Sequence, residues 1–164
     1  MADGERPRPF GGADPHAELV RERGERHEAE QLERLIDDGG GDWVDLTLPG
    51  GSAWDPAALA EASARTLAAM QSGVGLIYQG TLVSGRWQGR PDFLRRIEVP
   101  SELGGFAYEV LDTKLSRAAR PHMVHQLCLY TRLVGEAQGR ELDHAVLILG
   151  DGSSTRVEVG RYGA

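Results

Sequence analysis

Among its 164 residues the chain has one cysteine and, of its 18 basic residues, one lysine. The lone cysteine, Cys128, excludes an internal disulfide, a four-cysteine zinc site and an iron–sulfur cluster held on four thiolates. No apolar run approaches the roughly 20 residues of a membrane helix, and the opening MADGERPRPF has no apolar stretch to serve as a secretory signal. The expected location is therefore the cytoplasm, with no membrane partner. The other seventeen bases are all arginine. High-GC codon usage accounts for such a bias, which makes the exception, Lys114, the first place to look for chemistry.

What is present has the balance of a globular protein: 40% hydrophobic and 26% charged residues, over a length that suits one domain. Residues 1–14 are proline, glycine and charge without periodicity and read as a flexible arm, leaving 15–164 as the domain. The net charge of −7 argues against a generic nucleic-acid binder, whose affinity comes from phosphate neutralisation. Residues 1–45, however, hold thirteen acids and six bases, whereas residues 46–164 hold twelve of each. The acidity is thus local, and the stretch from Arg86 to Arg120 carries seven bases against five acids.

Periodicity predicts a first helix from about His16 to Asp38, with Leu32, Leu35 and Ile36 inward and the glycines at 39–41 as its stop. A short strand follows at 43–48. Asp55 and Pro56 then open an alanine-rich helix that Gly73 closes after Ser72. VGLIYQGTLV, WQGRPDFLRRIEV and FAYEVLDTKL read as three successive strands in a meander. A helix from Arg120 to Gln138, ended by Gly139, precedes two last strands around Gly150-Asp151-Gly152. The expectation is an α/β domain, a mixed sheet flanked by helices.

Lys114 lies in Asp112-Thr113-Lys114, and strand alternation puts Asp112 and Lys114 on one face, about 7 Å apart. Thr113 points the other way with its carbonyl available. Pro91-Asp92, twenty residues earlier, places a second carboxylate on the preceding strand, at a proline that suggests an edge or bulge. Two carboxylates forced together repel unless a divalent cation neutralises them, and an all-oxygen ligand set suits Mg²⁺ or Mn²⁺. Such a cation can polarise a phosphodiester and activate water, while a nearby amine orients or deprotonates that water. Arginine cannot act as a base, so the amine has to be lysine. Glu28, four residues before Leu32, falls on the core-facing stripe and supplies a third acid, with Glu25 the weaker alternative and His27 placed with Gln31 and Arg34 on the solvent side. Gln126 and Tyr130, one turn apart, share a face of the last helix. Trp43, Trp54 and Trp87 are able to stack bases but by default pack.

Taken as a set, Gly24…Glu28, GRPDFL at 89–94, YEVLDTKL at 108–115 and QLCLY at 126–130 resemble the RecB-like branch of the PD-(D/E)xK nuclease superfamily. The segments IYQGTL at 77–82 and LILGDG at 147–152 are similar to a family of predicted RecB-like nucleases. The resemblance implies a restriction-endonuclease-like core of αβββαβ order and a Mg²⁺- or Mn²⁺-dependent nuclease, an exonuclease of DNA repair or recombination. It implies metal ligation by Glu28, Asp92, Asp112 and the Thr113 carbonyl, water positioning by Lys114, and substrate contact by Gln126 and Tyr130. The implied partners are DNA with a single-stranded end and a helicase or other repair protein. The alternative is a catalytically degenerate nucleic-acid-binding or regulatory module of a larger helicase–nuclease complex.

Overall fold

The structure, a computed structural model, describes residues 14–39, 41–49 and 55–160. Most of the expected N-terminal arm, and Trp54, lie outside the described residues. In chain order the elements are α1 (Pro15–Gly39), β1 (Trp43–Asp45), α2 (Pro56–Ser72), β2 (Leu76–Tyr78), β3 (Leu82–Ser84), β4 (Trp87–Gly89), β5 (Phe93–Ile97), β6 (Ala107–Thr113), α3 (Pro121–Gln138), β7 (His144–Ile148) and β8 (Ser154–Glu158). The six-stranded mixed sheet runs β1-β2-β5-β6-β7-β8, and β3 and β4 form a separate hairpin. β1 and β2 pair parallel, as do β6 and β7, and the remaining neighbours are antiparallel. No helix among the described residues is long and apolar enough to cross a membrane.

Helices cover both faces of the sheet. On one face Leu32, Leu35 and Ile36 of α1 pack over Leu76, Phe93, Leu111 and Ile148. Alternate strand residues Ile77, Leu94, Tyr108, Val110 and Leu147 form the other face, beneath Met70 of α2 and Met123, Leu127, Tyr130 and Val134 of α3. The helix ends follow local chemistry: Asp55 accepts from Ala58 N, Pro56 occupies the first turn, and Gly73 and Gly139 close α2 and α3 in the left-handed conformation with φ of 77° and 66°. β7 pairs only with Leu111–Thr113 of β6, which leaves the start of β6 without a neighbour on that side. Gln138 fills the gap, accepting from Tyr108 N at 2.8 Å and donating to Tyr108 O at 3.2 Å.

Four expectations need correction. The three continuous strands of the meander are five: β2, β5 and β6 form it, while the intervening segments fold off as the β3–β4 hairpin. The break falls at Gln79, whose φ of 56° turns the chain out of the sheet, and Thr81 N is then captured by the Thr66 hydroxyl at 2.9 Å. Pro91 accordingly marks the entry to β5, a strand paired on both sides rather than an edge. The strand expected at 43–48 stops at Asp45, because that side chain takes Thr47 N at 2.9 Å and Thr47 Oγ1 at 2.6 Å in a local turn that competes with the ladder. Finally, His27 and Gln31 are buried rather than solvent-facing. α1 also lies against the Leu115 loop and the β7–β8 turn, near Gly24 and Gly152 respectively, so its covered face is wider than the leucine stripe.

Candidate functional site

Three elements, α1, β5 and β6, deliver Glu28, Asp92, Asp112 and Lys114 to one end of the sheet. The β5–β6 register pairs Phe93 with Leu111, which sets Asp92 beside Asp112, and Asp92 N lies 3.3 Å from Asp112 Oδ1. Strand alternation then puts Lys114 Nζ 2.9 Å from Asp112 Oδ2. The ammonium lies off the direction of a hydrogen bond, so the contact is charge attraction and the buried Oδ2 keeps an unused lone pair. From α1, Glu28 turns to the sheet and accepts a hydrogen bond from Gln79 Nε2, a donor that also lies 3.5 Å from Asp92 Oδ1. The Tyr78 hydroxyl lies beside Glu28 as well, and burial first, then this carboxylate, drives the phenol well above its ordinary range.

Asp92 is the electrostatic centre. Thr113 donates to Asp92 Oδ2 twice, from its backbone N at 2.7 Å and from Oγ1 at 2.8 Å. These bonds favour the ionised form, but desolvation and the charges of Asp112 and Glu28 outweigh them and push the carboxyl up to about 8. A site that crowds three acids so closely is short of positive charge. Hard oxygen donors of this kind suit a divalent cation, which would relieve the repulsion that proton uptake relieves without it. As the side chains stand, no group of three or more His, Cys, Asp or Glu among the described residues is arranged to hold a metal. The reason is visible: Gln79 stands between Glu28 and Asp92, Thr113 holds Oδ2 of Asp92, and Lys114 faces Asp112.

Tyr130 and Gln126 are joined, the tyrosine hydroxyl accepting from Gln126 Nε2 at 2.8 Å. Tyr130 is only 8% exposed. Its ring lies against Gly89, where a Cβ would come within 2.7 Å, and its hydroxyl meets the backbone of Arg90. Burial and then the Asp112 charge push this phenol to about 12. Tyr130 therefore anchors the hairpin's exit into Asp92, while Gln126 is half-buried beside it. Glu25 is exposed and pairs with Arg21 at 3.7 Å, away from the other acids.

Sequence reasoning missed Tyr78 and Gln79. Alternation along VGLIYQ puts these neighbours on opposite faces, yet the positive φ of Gln79 lets both reach Glu28. A glutamine in that conformation costs on the order of 1 to 2 kcal/mol and persists only where its surroundings hold it. No protein-family model, curated protein or solved structure matches the chain at a significant level.

Proposed function

We propose that this chain is a Mg²⁺- or Mn²⁺-dependent DNA nuclease with a restriction-endonuclease-like core, of the RecB-like kind that its motifs resemble. The observation that carries the reading is the meeting of Glu28, Asp92, Asp112 and Lys114 at one point from α1 and two adjacent strands. With β1, α2 and the β3–β4 hairpin as insertions, helix α1, the meander β2-β5-β6, helix α3 and the parallel strand β7 are compatible with the αβββαβ order of that core. Two features fit a cation: the pKa of Asp92, raised by burial and then by its acidic neighbours, and the buried lone pair of Asp112 Oδ2.

Glu28, Asp92, Asp112 and the Thr113 carbonyl would hold the ion. When bound, the cation supplies Lewis acidity toward a phosphodiester oxygen and lowers the pKa of a water. The chain's own part is positioning. Asp112 holds the Lys114 ammonium at 2.9 Å by charge attraction, which leaves its N–H groups to hold a water or a phosphate oxygen. Thr113 locks the Asp92 carboxylate in one rotamer through its paired donors. Tyr130 and Gln126 fix the chain just before Asp92, so that this acid is aimed by packing on α3.

A degenerate, binding-only module of a helicase–nuclease complex is the competing reading, favoured by the engagement of the acids with Gln79, Thr113 and Lys114. Incubation with end-labelled single-stranded, duplex and circular DNA in Mg²⁺, Mn²⁺ or chelator separates the two. The nuclease reading expects cation-dependent loss of label or nicking. DNA binding without cleavage in either metal supports the module instead.

A further inference from the structure

Gln79 is the only non-glycine residue with positive φ among the described residues. Its backbone N still extends the β2–β5 pairing, donating to Asp92 O at 2.9 Å, so the left-handed turn reorients the side chain without releasing the strand. The result is an amide placed between two acids from different elements, with Nε2 donating to Glu28 Oε1 and standing 3.5 Å from Asp92 Oδ1. A primary amide has two N–H groups, enough to face one carboxylate with each. Its partial positive charge does weakly and reversibly what a divalent cation does strongly. Lysine or arginine there would hold a permanent charge against an incoming ion, and glutamate would add a further acid to an already repulsive group.

We propose that Gln79 is a placeholder for the cation: in the ion-free protein its amide fills the position between Glu28 and Asp92, and it yields that position when a divalent ion enters. The inference rests on the reading of Glu28, Asp92 and Asp112 as a metal site and adds how the empty site is held together. Without the amide, Glu28 loses a donor and faces Asp92 directly. With an ion bound, the amide is no longer needed there.

Mn²⁺ alone serves as the probe, using the full chain. Binding is measured by titration calorimetry, and melting is followed in chelator and at saturating Mn²⁺, for the wild type, Gln79→Ala and Gln79→Glu. The alanine variant should melt several degrees below wild type in chelator, and Mn²⁺ should close most of that gap. The glutamate variant should bind Mn²⁺ about tenfold more tightly and show the largest Mn²⁺-induced rise in melting temperature. A Gln79→Ala deficit of equal size with and without Mn²⁺ makes Gln79 a structural residue and overturns the proposal, as does equal Mn²⁺ affinity in wild type and Gln79→Glu. Should the alanine variant fail to fold, the near-isosteric glutamate variant decides alone. If wild type binds Mn²⁺ and the glutamate variant does not differ, only the placeholder fails. If wild type takes up no Mn²⁺ at millimolar concentration, the metal-site reading fails with it.

Discussion

Asp92→Asn should stabilise the ion-free protein at alkaline pH. In the folded chain this carboxyl is pushed from 3.8 up to about 8 by burial and by the Asp112 and Glu28 charges. An acid with a raised folded pKa contributes stability that is full below its unfolded value. That contribution drains away as pH rises toward about 8, because over this window the folded state binds the extra proton. The interval from 3.8 to about 8, at about 1.4 kcal/mol for each pH unit, sets a ceiling of roughly 6 kcal/mol. Asp92 keeps some exposure and three acids share the load, so about half of that is expected. For a domain of this size this corresponds to roughly 6 to 12 °C in Tm. Asparagine can keep both Thr113 bonds with its single oxygen, and its neutral NH₂ replaces Oδ1, which gives up only the long 3.5 Å contact with Gln79. The assay is thermal melting in chelator from pH 5 to 9. Wild type should lose Tm steadily across the window and the asparagine variant should not, so the curves diverge upward in pH. Parallel curves for the two proteins would mean that Asp92 does not carry a raised pKa in the folded chain.

Other consequences are simpler. Mn²⁺ added at pH 8 should raise the wild-type Tm and leave Asp92→Asn nearly unchanged, as differential scanning fluorimetry can show, because the ion relieves a repulsion that the variant no longer has. Gly89→Ala should cost about 1 to 3 kcal/mol in chemical denaturation, since the new methyl meets the Tyr130 ring at 2.7 Å and the Leu133 side chain at 3.0 Å. It should also lower the rate of any cation-dependent cleavage by displacing the approach to Asp92. Thr66→Val should lose about 1 to 3 kcal/mol, because the fully buried hydroxyl that accepts from Thr81 N disappears and leaves that N–H unpaired.

The helices and the acid pair were legible in the sequence for local reasons. Asp55-Pro56 and Gly73 bracket α2 at Pro56–Ser72, and the strand alternation that places Asp112 and Lys114 on one face is matched by their 2.9 Å contact. Asp92 beside Asp112 needed only that consecutive strands pair in that register. The hairpin, by contrast, depends on a left-handed glutamine and on Thr66 of α2 catching Thr81, a contact across fifteen residues that no local pattern announces. For the same reason Gln79 and Tyr78 escaped notice as partners of Glu28. The burial of His27 followed from α1 meeting two loops, where a leucine-based stripe records only the contact with the sheet.

The proposed nuclease activity places Lys114 and the acids around it at the phosphodiester bond. Its most direct test compares wild type with Lys114→Ala on end-labelled DNA in Mg²⁺, with circular dichroism confirming that both are folded. Wild type should cleave in Mg²⁺, and chelator and the substitution should each abolish that cleavage. Cleavage by Lys114→Ala at the wild-type rate would contradict that placement.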